Sequence, residues 1–117
     1  MNDLGKLAEL KASDYLIKKR YKIVDYNYSS RFGEIDIIAE NKKYIVFVEV
    51  KMRGENTLAQ PREFVDYRKQ KKMITTAQLY LSTHQTELQP RFDVIEVFCE
   101  KGRIKSMKHL ENAFDLV

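Results

Sequence analysis

The sequence GEIDIIAENKKYIVFVEVKMR, residues 33–53, carries the clearest signal of the fold because two apolar segments in it flank a short polar linker. Segments 34–40 and 44–52 are rich in Ile, Val and aromatic residues, a composition typical of β-strands. The linker between them, Asn41–Lys43, is long enough only for a tight turn. The stretch therefore predicts an antiparallel hairpin, with side chains alternating between the two faces of each strand.

The hairpin sets ionisable side chains against each other. A loop of two residues or of four gives the same pairing, with Asp36 opposite Glu49 and Glu34 opposite Lys51. Directly opposed side chains lie about 4.5–5.5 Å apart at Cβ, and two carboxylates that close repel each other unless a proton or cation lies between them. Because Mg²⁺ prefers oxygen ligands, the pairing predicts a divalent-metal site, with Lys51 on the same face as Glu49.

A structural interpretation of the same residues competes with the metal site. A salt bridge between Glu34 and Lys51, beside a solvated Asp36, would account for the charges without any chemistry. One Asp followed at a distance by Glu-x-Lys is also a pattern that arises often by chance. The flanking residues favour the site, since such strongly apolar strands are typical of a sheet buried on both faces.

Composition narrows the class of protein. The 117 residues, 44% of them hydrophobic, predict one domain over residues 1–117. No apolar run approaches the roughly 20 residues of a membrane helix, so a cytoplasmic protein without membrane contact is expected. Cys99 is the only cysteine, which excludes an intrachain disulfide. The net charge of +4 and local basic clusters suit a polyanionic partner, although each cluster alone also fits a solvated helix face.

Several ordered blocks of sequence together make a more specific pattern than the hairpin acids alone. The blocks comprise Gly5, Ala8, Glu9, Ala12, Tyr15 and Leu16; Asn27; Gly33–Asp36; Phe47–Lys51 with Arg53; Lys69, Ala77, Tyr80 and Leu81; Arg91–Val94; and Asn112–Phe114. Through them the chain resembles the YraN-like family of small bacterial proteins, predicted endonucleases related to archaeal Holliday junction resolvases in the PD-(D/E)XK nuclease superfamily. Ile35 stands where the superfamily pattern has Pro, at a position that is not a ligand.

The resemblance implies an α/β fold with a restriction-endonuclease-like core, a mixed β-sheet flanked by helices in the order αβββαββ. It implies an endonuclease that uses Mg²⁺ or Mn²⁺ to hydrolyse phosphodiester bonds in DNA, including structured repair or recombination intermediates; RNA stays open as a substrate. A homodimer is also open, because resolving a four-way junction requires two sites on two strands.

Within this interpretation the hairpin residues take catalytic roles. Asp36 and Glu49, with the backbone carbonyl of Val50, are expected to hold the metal. Lys51 is expected to position the attacking water and to stabilise the developing charge. The resemblance adds Glu9, from the first helix, as a third catalytic acid and metal ligand. Without the resemblance, Glu9 also fits a helix-surface carboxylate paired with a neighbouring lysine.

Four further residues have predicted roles. Arg31, Arg53 and Lys69 are the expected nucleic-acid contacts, and Glu34 is a secondary candidate for the site. Arg31 fits equally well a loop cation without a fixed partner. Two other functions compete with a nuclease: a nucleic-acid-binding module that keeps the fold but does no chemistry, and a structural or protein-interaction domain whose charged row is only a ladder of salt bridges.

The remaining elements follow from periodicity and turn residues. Helices are predicted over residues 3–19 and from Pro61 to about Ser82. Gly33 is predicted to supply freedom in φ at the turn before the hairpin, and segment 52–60 to form a DNA-contacting loop. The other predicted strands cover residues 21–28, 91–99 and 103–110.

Overall fold

The computed structural model describes residues 3–54 and 66–115, which form two helices and five strands. The elements are α1 (Asp3–Lys18), β1 (Lys22–Ser30), β2 (Gly33–Glu40), β3 (Tyr44–Arg53), α2 (Tyr67–Thr83), β4 (Gln89–Glu100) and β5 (Arg103–Phe114). The predicted order αβββαββ and the α/β class are confirmed.

The five strands form one mixed sheet in the order β1-β2-β3-β4-β5. β3 and β4 run parallel, while every other neighbouring pair is antiparallel. The parallel pair is the consequence of α2, which returns the chain across one face of the sheet before β4 begins. β3 is thereby the central strand. It pairs on one side with its sequence neighbour β2 and on the other with β4, whose paired residues lie 45 positions later in the chain.

Each helix covers a different face of the sheet. The first hydrophobic core, on the α1 face, joins Ala8, Ala12 and Leu16 to strand residues that include Val46 and Val48. The second core, on the α2 face, joins Met73, Ala77 and Tyr80 to strand residues that include Ile45 and Phe47. Because side chains alternate along β3, the odd-numbered positions that follow point toward the α2 face. Those positions are Glu49, Lys51 and Arg53.

The alternation of side chains between the two faces of the sheet is interrupted at one residue of β2, Asp36. Ile37 belongs to the core on the α1 face, yet Ile35, two residues earlier, belongs to the core on the α2 face. On β1, the residues paired with these two flank Asn27, which has a φ of 50° in the left-handed region that Asn tolerates better than most residues. We infer that β1 and β2 both twist at Asn27 and Asp36, so that the side chain of Asp36 lies between the two faces of the sheet.

Some element boundaries differ from prediction. β1 continues through Ser30, so the turn is Arg31–Phe32. β5 extends to Phe114, four residues past its predicted end, because an edge strand with mostly exposed polar side chains shows little apolar alternation. α2 begins after its N-cap Asp66, whose carboxylate accepts a hydrogen bond from the N–H of Lys69 at 2.9 Å. Pro61, the predicted start of that helix, lies outside the described residues.

Gly33 is needed for space rather than for an unusual φ. Its φ of 159° is nearly extended, but a Cβ at this position would lie 3.2 Å from the Cβ of Lys72 on α2. The preceding turn is fixed to the same helix by a 3.1 Å hydrogen bond between the hydroxyls of Ser30 and Thr76. The start of β2 therefore packs directly against the second helix.

A buried polar network ties β4 to β5 on the α1 face. Asp93 is fully buried and accepts two hydrogen bonds from Arg91, at 2.9 and 2.8 Å. Its carboxylate also contacts Nε2 of His109 at 2.7 Å and accepts the N–H of Asn112 at 3.0 Å. Although burial acts in the opposite direction, these hydrogen bonds hold the pKa of Asp93 below its ordinary value. All of its acceptor capacity is used, as a structural role requires.

Candidate active site

The site lies where β2 and β3 stop pairing. The described ladder runs from Glu40 opposite Ile45 to Ile37 opposite Val48, in the predicted register. Beyond that pair the N–H of Val50 donates a 2.8 Å hydrogen bond to Oδ2 of Asp36. The predicted direct pairings of Asp36 with Glu49 and of Glu34 with Lys51 are not part of this ladder. The side chain of Asp36 instead contacts β3 at the fork, which is the point beyond the Ile37–Val48 pair where β2 and β3 separate.

Asp36 is half-buried in surroundings that disfavour its charge. The pKa of Asp36 is raised from 3.8 to about 8, and burial is the largest cause. The negative charge of Glu49 and a hydrogen bond with its side chain also raise this pKa, and the charge of Glu9 has a smaller effect. The hydrogen bond from Val50 favours the ionised form but does not offset these effects. At neutral pH and without a cation, Asp36 therefore retains its proton, whereas a bound cation would favour the carboxylate.

Glu49 is nearly buried and already has a cationic partner. The residue is 7% exposed, and its Oε2 lies 3.1 Å from Nζ of Lys69 on α2. Although partial burial opposes it, the charges of three carboxylates, Glu49 foremost, raise the pKa of Lys69 above its ordinary value. The other two are Asp36 and Glu34. Lys69, predicted as a nucleic-acid contact, is thus a direct neighbour of the acid pair.

Lys51 stands on the same face as Glu49, two positions further along β3. Its Cα neighbour on β4 is Glu96. Within residues 3–54 and 66–115, no hydrogen bond or ion pair engages the Lys51 amine. In particular, it forms no ion pair with Glu34, which accepts a 3.4 Å hydrogen bond from Ser29. The Glu34–Lys51 salt bridge of the structural interpretation is therefore not formed among the described residues.

Glu9 approaches the fork from the other face of the sheet. It lies on α1, next to the buried Ala8, and its charge contributes to the raised pKa of Asp36. Across residues 3–54 and 66–115, no three His, Cys, Asp or Glu side chains form a group able to hold a metal ion. The described geometry thus offers a pair of carboxylates, with Glu9 close by, and a third ligand from Glu9 stays a prediction.

Arg53 has a buried structural partner. It is 6% exposed, and its Nε lies 3.0 Å from Oε2 of Glu96, which is 1% exposed. We therefore leave Arg53 out of the proposed nucleic-acid contacts. Sequence reasoning missed Glu96, although one signal could have found it: Glu96 is an acid inside the apolar run of β4, as Glu49 is inside that of β3.

Arg31, the third predicted nucleic-acid contact, is exposed at the tip of the β1–β2 turn. Its guanidinium lies 4.8 Å from the ring centre of Phe32, which is also exposed. The turn packs against α2 through Gly33 and Lys72. Arg31 and Lys72 consequently share the surface on the α2 side of the fork.

Comparison with known proteins shows which family this chain belongs to. A model of the uncharacterised protein family UPF0102 matches residues 8–97, which is most of the chain. The chain belongs to family UPF0102. The matched range contains both fork carboxylates, Lys51 and Lys69.

Related UPF0102 proteins occur in several bacteria. One from Caldanaerobacter subterraneus subsp. tengcongensis is 45% identical over 114 residues, covering 95% of this chain and 93% of its own length. One from Thermodesulfovibrio yellowstonii is 43% identical over 112 residues, covering 96% of both chains. One from Clostridium botulinum is 40% identical over 117 residues, covering 97% of this chain and 95% of its own. The family resemblance therefore extends over nearly the whole chain.

The donor set of this UPF0102 protein fits a hard divalent cation. Two carboxylates converge at the fork, one of them held protonated by its surroundings and the other balanced by an ammonium. A divalent cation could take the place of both the proton and the ammonium, and oxygen donors match the preference of Mg²⁺ and Mn²⁺. Neither helix in the described part of the chain has the length and apolar composition needed to cross a membrane.

Proposed function

We propose that this UPF0102 protein is a divalent-metal-dependent nuclease of the PD-(D/E)XK type that hydrolyses phosphodiester bonds in DNA. The observation that supports it best is the convergence of Asp36 and Glu49 at the β2–β3 fork, with Lys51 uncommitted beside them. Two carboxylates that converge repel each other unless a proton or a cation lies between them, so their convergence supports a bound cation. Mg²⁺ or Mn²⁺ is the proposed cofactor.

Each residue of the fork has a distinct part in the proposed chemistry. Asp36, Glu49 and the carbonyl of Val50 would hold the metal, with Glu9 reaching it from α1. When bound, the metal would activate a water molecule and polarise the scissile phosphate. Lys51 lies beside two acids, and its amine would stabilise negative charge on the phosphate.

The proposed nucleic-acid surface lies on the α2 side of the fork. Arg31 and Lys72 are exposed there and adjoin the start of β2, while Lys69 lies at the acid pair itself. Phosphate contacts of this kind position a nucleic acid without reading its sequence. We therefore propose that the protein selects its DNA by shape rather than by base sequence, and a structured repair or recombination intermediate is such a substrate.

A second function competes with cleavage. Lys69 already neutralises Glu49 without any metal, and this arrangement also suits a nucleic-acid-binding module that does no chemistry. In that case the Lys69–Glu49 pair would be a permanent part of the binding surface, and divalent cations would change neither stability nor affinity.

Cleavage of an end-labelled panel tests the proposal. The panel holds a four-way junction, a flap, a single strand, a duplex and a structured RNA, each incubated with Mn²⁺, Mg²⁺ or EDTA. Metal-dependent cutting by the wild type, abolished by Glu49→Gln and reduced about 10²–10³-fold by Lys51→Ala, would support the nuclease. Glu100→Gln, an acid exposed on β4 away from the fork, is the matched control and should cut normally.

Undiminished cutting by Glu49→Gln would mean that the activity arises elsewhere or from a contaminant. Binding without cutting across the whole panel, unchanged by EDTA, would instead support the non-catalytic module.

A further inference from the structure

Lys69 differs from the other cations near the fork in how it is held. Its backbone is fixed in the first turn of α2, where its N–H donates to the N-cap Asp66. Its ammonium lies 3.1 Å from Oε2 of Glu49. The two partners are unequally exposed, 47% for the Lys69 side chain and 10% for that of Glu49. The acid is thus fixed within the sheet, while the cation approaches it from solvent.

The ammonium meets the same electrostatic requirement that a metal ion would meet. Glu49 is buried beside the half-buried Asp36, and among the described side chains Lys69 is the one that forms an ion pair with an acid of the fork. Lys51 lies on a central strand and makes no such contact among residues 3–54 and 66–115. A divalent cation carries twice the charge of Lys69 and can contact both acids at once.

The pair is also weak enough to be exchanged. Ion pairs with one largely solvated partner gain little energy, because water screens the attraction and ordering a long side chain costs entropy. Lys69 has four methylene groups between its fixed backbone and its ammonium, so it can leave Glu49 without any change in α2. The Lys69 ammonium can therefore be paired with Glu49 or extended into solvent.

We propose that Lys69 is a built-in counter-ion for the Asp36–Glu49 pair, which a divalent metal displaces and which then contacts a phosphate of the bound nucleic acid. This inference rests on the proposed metal site and adds a regulation to it. When the metal binds, it replaces the Lys69 ammonium at Glu49. The released Lys69 then contacts a phosphate, so that nucleic-acid affinity depends on bound metal through this one side chain.

Calorimetric titration with Mn²⁺ alone tests the exchange. Lys69→Met keeps most of the side-chain stem and removes the charge, and Lys72→Met, one turn further along α2, is the matched control. We expect Lys69→Met to bind Mn²⁺ about three- to fivefold more tightly than the wild type, because the competing ammonium is gone. Lys72→Met should bind it within about twofold of the wild type. Thermal melting checks that both variants fold.

Nucleic-acid binding supplies the second readout. Affinity for a labelled four-way junction is measured with Ca²⁺, which occupies oxygen sites, and with EDTA. Lys69→Met should lose affinity in Ca²⁺ and lower the salt dependence by about one phosphate contact, but should match the wild type in EDTA, where the ammonium is engaged by Glu49. Lys72→Met should lose affinity equally in both.

Each failure has its own signature. If Lys69→Met binds Mn²⁺ no more tightly than the wild type, the counter-ion proposal is overturned while the metal site stands. If Lys69→Met loses junction affinity equally in Ca²⁺ and EDTA, Lys69 is a permanent phosphate contact and the exchange is likewise overturned. If none of the three proteins binds Mn²⁺, the proposed metal-dependent nuclease itself fails.

Discussion

Replacing Asp36 by Asn should stabilise the metal-free protein, and increasingly so as the pH rises. The amide oxygen can still accept the N–H of Val50, and the amide nitrogen can donate toward Glu49. The amide side chain would thus resemble the protonated acid, which is the form that the surroundings favour. The substitution removes the need to ionise a group inside the fork.

The size of the effect follows from linkage. The pKa of Asp36 is about 8 in the folded chain against 3.8 in the reference state, so the folded protein binds more protons between those values. The stability contributed by this group is fully present below about pH 4 and is lost as the pH rises through 8. At about 1.4 kcal/mol for each pH unit, the upper limit is about 6 kcal/mol. Relaxation and water at the fork reduce this, so we expect about 2–3 kcal/mol.

Urea denaturation at pH 4.5, 6, 7 and 8.5 in EDTA measures the difference. Asp36→Asn should equal the wild type near pH 4.5 and exceed it by a margin that grows until about pH 8. Asp14→Asn, an exposed acid on α1, is the control and should show a difference independent of pH. An Asp36→Asn advantage that is absent at pH 8.5, or constant over the whole range, would refute the reasoning.

Three further predictions concern the rest of the chain. Asp93→Ala should lower the free energy of unfolding by about 3–5 kcal/mol, because it leaves the buried Arg91 with only the solvated Glu111, at 3.6 Å, as an acidic partner; urea denaturation measures it, and a loss below about 1 kcal/mol would contradict the structural role. Arg53→Met should cost a similar amount, because it removes the ion-pair partner of the buried Glu96, whereas Lys105→Ala, in a solvated ion pair, should change stability by less than about 0.5 kcal/mol; equal effects would contradict the burial argument. Asp66→Ala should cost about 1 kcal/mol through loss of the α2 cap, and thermal melting that is unchanged would show that the cap is dispensable.

The hairpin was predictable because its information is local. The apolar composition of β2 and β3, with a three-residue polar linker, fixed both the strands and their register from Glu40–Ile45 to Ile37–Val48. The convergence of Asp36 and Glu49 followed from that register. The rotation at Asp36 was not predictable, since it depends on the left-handed conformation of Asn27 on a neighbouring strand.

The partners of the site residues depended on tertiary structure and escaped sequence reasoning. Lys69 reaches Glu49 only because α2 begins at its cap Asp66 and crosses the sheet at a particular height. Arg53 looked like an available cation next to the acids, and only the parallel pairing with β4 shows that Glu96 holds it. Sequence spacing carries no information on such contacts between elements distant in the chain.

The central position of β3 has a consequence for the nascent protein. Asp36 and Glu49 are synthesised early, within a hairpin that can form as soon as it emerges. The strand that covers the far edge of β3, and the helix that covers the face of Glu49, come from residues 67–100. Until these elements are made, α2 does not cover the face of Glu49, and the burial that raises the pKa of Asp36 is incomplete. The proposed site is therefore assembled only once α2 and β4 have packed onto the hairpin.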